Sequence, residues 1–174
     1  MPLRAILDGF DIQAFNYHES DWDKLKKSYK NRSLKVVYCG RSTIPKKIKL
    51  GTQYFAHAKR GDCSTAIEIA DHIKFKTSIA ESVAAQGLEV FTEYPGAAPD
   101  GQKWGGMCMK GNAKLAIEIQ WSNQTLDEFL RRMERYKRSG VRCLWLFRLR
   151  GNRNYKASDF IESRFGCAHV STSQ

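Results

Sequence analysis

The chain has 174 residues, 42% hydrophobic, 11% aromatic and 27% charged, the composition of an ordinary folded protein, which excludes a disordered tail, a collagen-like repeat and a low-complexity chain. No apolar run approaches the roughly 18 residues that a membrane helix needs. The 29 Lys and Arg against 18 Asp and Glu, net +11, fit either a phosphate-rich partner or a basic protein with solvated lysine side chains.

Charge is unevenly spread. Residues 1–63 carry 13 basic and 6 acidic side chains, residues 64–123 carry 5 and 7, and residues 124–174 carry 11 and 5. Two basic flanks around an acidic middle suit a polyanion gripped beside a carboxylate-bearing centre. The first residues alternate in polarity up to Asp8 and Asp11 and lack the basic-then-apolar layout of a signal peptide, so a cytoplasmic location and no membrane partner are expected. Five scattered cysteines with no CxxC pair fit reduced thiols, and Cys108 and Cys143 lie in apolar stretches as small buried hydrophobes.

In chain order, residues 1–63 read as a small β-rich N-terminal element. Leu34–Tyr38 is a strand, Pro45–Leu50 alternates, Gly51-Thr52 turns into Tyr54–His57, and Gly61-Asp62 turns again. Residues 64–86 lack Gly and Pro and space their apolar residues as an amphipathic helix that Gly87 stops. Glu68, His72 and Lys76 then share one face, a turn apart, either as ordinary i,i+4 pairing or as part of a site. Leu88–Tyr94 alternates as a half-buried strand that Pro95 ends. After the turn Gly96–Gly101 come an apolar strand at Trp104–Met109, a hairpin turn at Gly111-Asn112 and a strand at Lys114–Trp121. Thr125-Leu126-Asp127-Glu128 is a capping box. Its helix buries Leu126, Phe129, Leu130, Met133 and Tyr136, presents Arg131, Arg132, Arg135 and Arg138 on the other face, and stops at Gly140. Cys143–Phe147 is a buried strand, and residues 151–174 form a basic and polar tail. From residue 64 to 150 the order is α-β-β-β-α-β, an α/β core with a mixed central sheet flanked by helices.

The strand Lys114–Trp121 carries the clearest chemical signal. Side chains alternate between faces, so Ala116, Glu118 and Gln120 share one side. A strand covered on both faces should be continuously apolar, and an unpaired buried carboxylate is costly. Glu118 therefore lines a cleft, meets water, or has a dedicated partner such as a metal.

The stretch from about Leu34 to Phe147 resembles the competence protein CoiA-like family, within the PD-(D/E)xK nuclease superfamily. Tyr54-Phe55-Ala56-His57 is similar to its "HFAH" element, with Cys63 following. Glu68, His72 and Lys76 match "E-x-x-x-H-x-x-x-K", and Ala116 to Ser122 match "AIEIQxS". Thr125–Glu128, Glu134-Arg135-Tyr136 and Gly140-Val141 with Leu144–Leu146 resemble the helix and strand that follow. The resemblance implies a restriction-endonuclease-like core and metal-dependent hydrolysis of DNA, with Mg²⁺ or Mn²⁺ as cofactor. It gives Glu118 the role of metal ligand, Gln120 that of positioning water, and Lys76 that of supplying charge. Glu68 and His72 would hold a water or a second metal. The superfamily also expects an Asp in an "R-x-x-D-V" element. Here that stretch is Lys103–Met109, with Gly106 or Met107 at the acid's position and no carboxylate between Asp100 and Glu118. Asp100, or Glu93 on the strand before, is the nearest substitute metal ligand. The zinc element of the family is reduced to Cys39, His57 and Cys63, one ligand short of a tetrahedral set, so Zn²⁺ is not expected.

For binding, Arg131, Arg132, Arg135, Arg138, Arg148 and Arg150 offer phosphate contacts, and Trp104 and Trp121 are either stacking platforms for bases or, as is commoner, buried core aromatics. No base-reading motif is present, so DNA is the expected partner with little sequence specificity. Two functions stand: a metal-dependent nuclease, or a DNA-binding or processing module that kept the fold and lost the metal site.

Overall fold

A computed structural model describes residues 2–59, 68–101, 103–110, 114–122, 124–148 and 168–170. The chain is mixed α/β and divides into two compact units, Met1–Glu93 and Tyr94–Gln174. The expected boundaries at 63/64 and 150/151, the turns at Gly61-Asp62 and Gly111-Asn112, and Cys63 and Arg150 lie outside the described residues.

The first unit opens with β1 (Arg4–Leu7) and β2 (Phe10–Gln13), antiparallel around Asp8-Gly9. Both turn residues have positive φ, 51° and 89°, the requirement of a two-residue hairpin that Asp-Gly meets at low cost. β3 (Leu34–Val36) pairs with the other edge of β1. Between them lies α1 (Glu19–Ser28), with Glu19 and Asp21 in its first turn and Lys26 and Lys27 in its last, the polarity that a helix dipole favours. The sequence reading of this region as strands and turns missed α1. Its signal was there in Trp22 and Leu25, one turn apart and both buried. Trp22 packs on Phe55 at 5.1 Å and Tyr17 at 5.6 Å between ring centres. The hairpin β4 (Thr43–Lys47) and β5 (Gln53–His57) brings Phe55 into a core of Leu3, Ala5, Leu7, Leu25, Leu34 and Ile73. α2 (Ala70–Ala84) supplies Ile73 and ends before Gly87, whose φ of 76° is a helix-stop conformation. The described helix starts at Ala70, so Glu68 precedes it rather than lying on it.

β6 (Glu89–Ala97) begins in the first unit and ends in the second. It runs through Pro95 instead of stopping there, because it is the edge strand of its sheet and an edge proline removes no ladder hydrogen bond. The strand order is β10-β9-β8-β7-β6, with β7 (Lys103–Lys110), β8 (Leu115–Gln120), β9 (Arg142–Arg148) and β10 (Ala168–Val170). β7 and β8 are antiparallel, and β8, β9 and β10 are parallel. β10 falls within the basic and polar C-terminal tail: three residues, too few for a periodic signal, pair with β9.

α3 (Leu126–Arg138) joins the parallel strands β8 and β9. Thr125 caps it as expected, its hydroxyl accepting from the Glu128 amide at 3.2 Å. Phe129 and Tyr136 are buried among Ala116, Val141, Trp145 and Phe147, with Leu126 and Met133 at the margin. Leu130 is 41% exposed rather than buried, since the stripe centres on 129, 133 and 136 and leaves 130 to one side. Leu144, expected inside, is 37% exposed.

Candidate functional site

Burial on β8 runs through Ala116, Ile117 and Glu118, the last only 7% exposed. Its carboxylate has a dedicated partner set, supplied by α3. Arg132 and Tyr136 stand four residues apart, so both descend from one face of the helix. Arg132 donates from Nη2 to Glu118 Oε2 at 2.5 Å and from Nη1 to Gln120 Oε1 at 2.9 Å. Its guanidinium lies 4.8 Å from the Trp145 ring centre. The Tyr136 hydroxyl donates to Glu118 Oε1. Burial, reinforced by the Glu118 carboxylate, pushes the Tyr136 phenol well above its usual pKa, so it remains a proton donor. The same two causes raise the Cys143 thiol. Gln120 is also committed locally, donating to the Ser122 carbonyl at 2.6 Å.

Of the two positions where the resemblance would put an acid, Gly106 and Met107, Gly106 is the one that faces Glu118. Register pairs Met107 with Ile117 and Cys108 with Ala116, which brings Gly106 opposite Glu118. A Cβ on Gly106 would lie 3.5 Å from Glu118 Oε1 and 2.9 Å from the Tyr136 hydroxyl oxygen. The space that a side chain at 106 would occupy is held by the phenol. Asp100, the other expected ligand, is bridged to Arg138 at 2.7 Å.

A second charged cluster forms within the first unit. Lys76 Nζ meets Glu68 Oε1 at 3.1 Å and also reaches Glu93 Oε1, while His72 Nδ1 lies 3.7 Å from Glu68 Oε1. All four side chains are at most 18% exposed. The Leu3 amide donates to the second oxygen of Glu93 at 3.1 Å. Burial alone would lower the Lys76 pKa; the Glu93 and Glu68 carboxylates outweigh it and hold the ammonium above its usual value. Burial pushes His72 below its usual value, and the Lys76 charge adds to this against Glu68. Burial would raise Glu68, but Lys76 prevails and lowers it. Sequence alternation puts Glu93 on the outer face of a regular strand. Instead its backbone takes φ 47°, a left-handed value that non-glycine residues seldom adopt, and its carboxylate turns onto Lys76.

The remaining expected residues are dispersed. Cys39 Sγ and His57 Nε2 are 3.3 Å apart, and burial with Arg41 nearby lowers His57. Arg131 is exposed and Arg135 half-buried. Arg148 lies 4.6 Å over the Trp121 ring. Arg132, expected on the solvent face, turns inward because it shares the buried stripe with Phe129 and Tyr136.

A divalent cation of the Mg²⁺ type wants one or two carboxylates with open oxygen positions. Glu118 offers one carboxylate with both oxygens engaged, beside a guanidinium and opposite a glycine. Among the described residues no group of three or more His, Cys, Asp or Glu could hold a metal ion. The residues present around Glu118 do not fit such an ion.

The mixed sheet, with its parallel strands bridged by a capped helix, is consistent with an α/β nuclease-like domain. The family model described as "Competence protein CoiA, nuclease-like domain" matches residues 68–173, more than half of the chain. The chain belongs to the competence protein CoiA family, through that nuclease-like domain. No curated protein and no solved structure matches the chain. No described helix is long and apolar enough to cross a membrane.

Proposed function

We propose that this chain is a DNA-binding or processing module on a restriction-endonuclease-like core that does not cleave DNA through a metal at Glu118. The observation that carries the reading is the closed carboxylate: Glu118 holds Arg132 and Tyr136, and the facing strand offers Gly106 where a second acid would stand. The succession α2-β6-β7-β8-α3-β9 supports the core assignment. The net charge of +11, with Arg131, Lys137, Arg138 and Arg142 exposed on α3 and the start of β9, supports a polyanionic partner bound through its phosphates. Such contacts read no bases, so little sequence specificity follows, and a cytoplasmic setting is consistent with this role.

A second reading, a Mg²⁺- or Mn²⁺-dependent nuclease, rests on family membership and on the buried Glu118 two residues before Gln120. DNA binding followed by fluorescence anisotropy separates the two. The proposed module binds labelled DNA equally in chelator and in Mn²⁺, with affinity falling steeply as salt rises. Absence of binding at moderate salt, or binding that chelator abolishes, would refute it.

A further inference from the structure

Resting on the reading that Glu118 takes no metal, we infer that the Tyr136 phenol and the Arg132 guanidinium are the permanent occupants of the position a divalent cation would hold against Glu118, and that Gly106 is the residue that admits the phenol. Three observations join here. Tyr136 is 1% exposed and packed with Phe129, Val141 and Trp145, so its hydroxyl cannot swing aside. Gly106 faces it so closely that even a methyl group would fall 2.9 Å from the phenol oxygen, below any ordinary contact. Arg132 is held in place by Glu118, Gln120 and the Trp145 ring. One carboxylate is thereby matched by one fixed positive charge and one hydroxyl proton. A divalent cation entering there would meet that fixed charge in a setting of low dielectric. Emptied of both occupants and given an acid at 106, the same place would present two carboxylates to an oxygen-seeking cation such as Mn²⁺.

The consequence is that a side chain at 106 and a phenol at 136 exclude one another. Thermal unfolding tests this in a double-mutant cycle. Gly106→Ala should lower the melting temperature by at least roughly 2–4 °C in the Tyr136 protein and by less than half as much in Tyr136→Phe. A second arm adds Mn²⁺ to the Gly106→Asp/Arg132→Gln/Tyr136→Phe protein. Its melting temperature should rise or, if it is unfolded without metal, it should fold on adding Mn²⁺, whereas the wild type should not respond. Losses at Gly106 and Tyr136 that simply add, or a triple variant indifferent to Mn²⁺, would overturn this inference alone. A wild-type rise with Mn²⁺ that Glu118→Ala abolishes would overturn the functional reading beneath it as well.

Discussion

Each unit of this protein buries carboxylates, and the two handle them differently. In the first, Glu68 and Glu93 both meet the ammonium of Lys76, and burial pushes His72 beside them toward its neutral form. In the second, Glu118 alone receives a guanidinium and a phenol. The first cluster keeps a titratable imidazole beside its carboxylates, whereas the second, one carboxylate on one guanidinium and capped by a hydroxyl donor, is closed. The difference teaches that the side chains around a buried acid decide what its carboxylate can still accept.

The sharpest way to break the comparison is to remove each cation in turn. Lys76→Met takes the ammonium away from two buried carboxylates, and we expect a loss of about 4–5 kcal/mol in chemical denaturation, at the upper end for breaking a buried pair. Adding Glu93→Gln to it should recover part of the loss. Arg132→Ala leaves Glu118 with its phenol donor, so the loss should be smaller, about 3 kcal/mol, and Glu118→Gln should relieve it.

The two sites also differ in their response to acid. The His72 pKa is depressed from 6.5, so its contribution is present above that value and fades as pH falls through the folded value. Glu68, depressed from 4.5, adds a further loss at lower pH. Lys76 is raised above 10.5, so its contribution is complete throughout this range and is lost only in strong alkali. The melting temperature should therefore fall from pH 7 toward pH 5, with Glu68, Lys76 and Glu93 facing the imidazole. His72→Gln should flatten that fall, and Arg132→Ala should leave its shape unchanged. The smallest expected effect is Thr125→Ala, which removes the cap of α3 and should cost about 1 kcal/mol without altering the pH dependence.

Where a residue's local chemistry alone fixed its position, the sequence was readable. The Thr125 cap, the helix stops at Gly87 and Gly140, and the alternation on β8 that isolates Glu118 all stand as read. The partners of Glu118 were not read, although Phe129, Arg132, Met133 and Tyr136 follow one helical stripe. An arginine is taken as solvated unless a buried acid is known to lie opposite, and that knowledge comes only from the pairing of α3 with β8. Glu93 is legible only as a substitute metal ligand; its turn onto Lys76 is not, because a left-handed residue inside a strand has no signature in polarity. The Asp-Gly hairpin before β2 and the helix α1 carried ordinary local signals and were legible in principle. The short β10 was not, since only the edge of β9 makes it a strand.

Whether Glu118 stays closed to metal is decided by incubating the wild-type protein with labelled single- and double-stranded DNA and Mn²⁺, beside chelator and Glu118→Ala controls. Bound but intact DNA is expected in every lane. Cleavage with Mn²⁺ that disappears in both controls would contradict it, and would mean that Arg132 and Tyr136 yield Glu118 to a metal when DNA arrives.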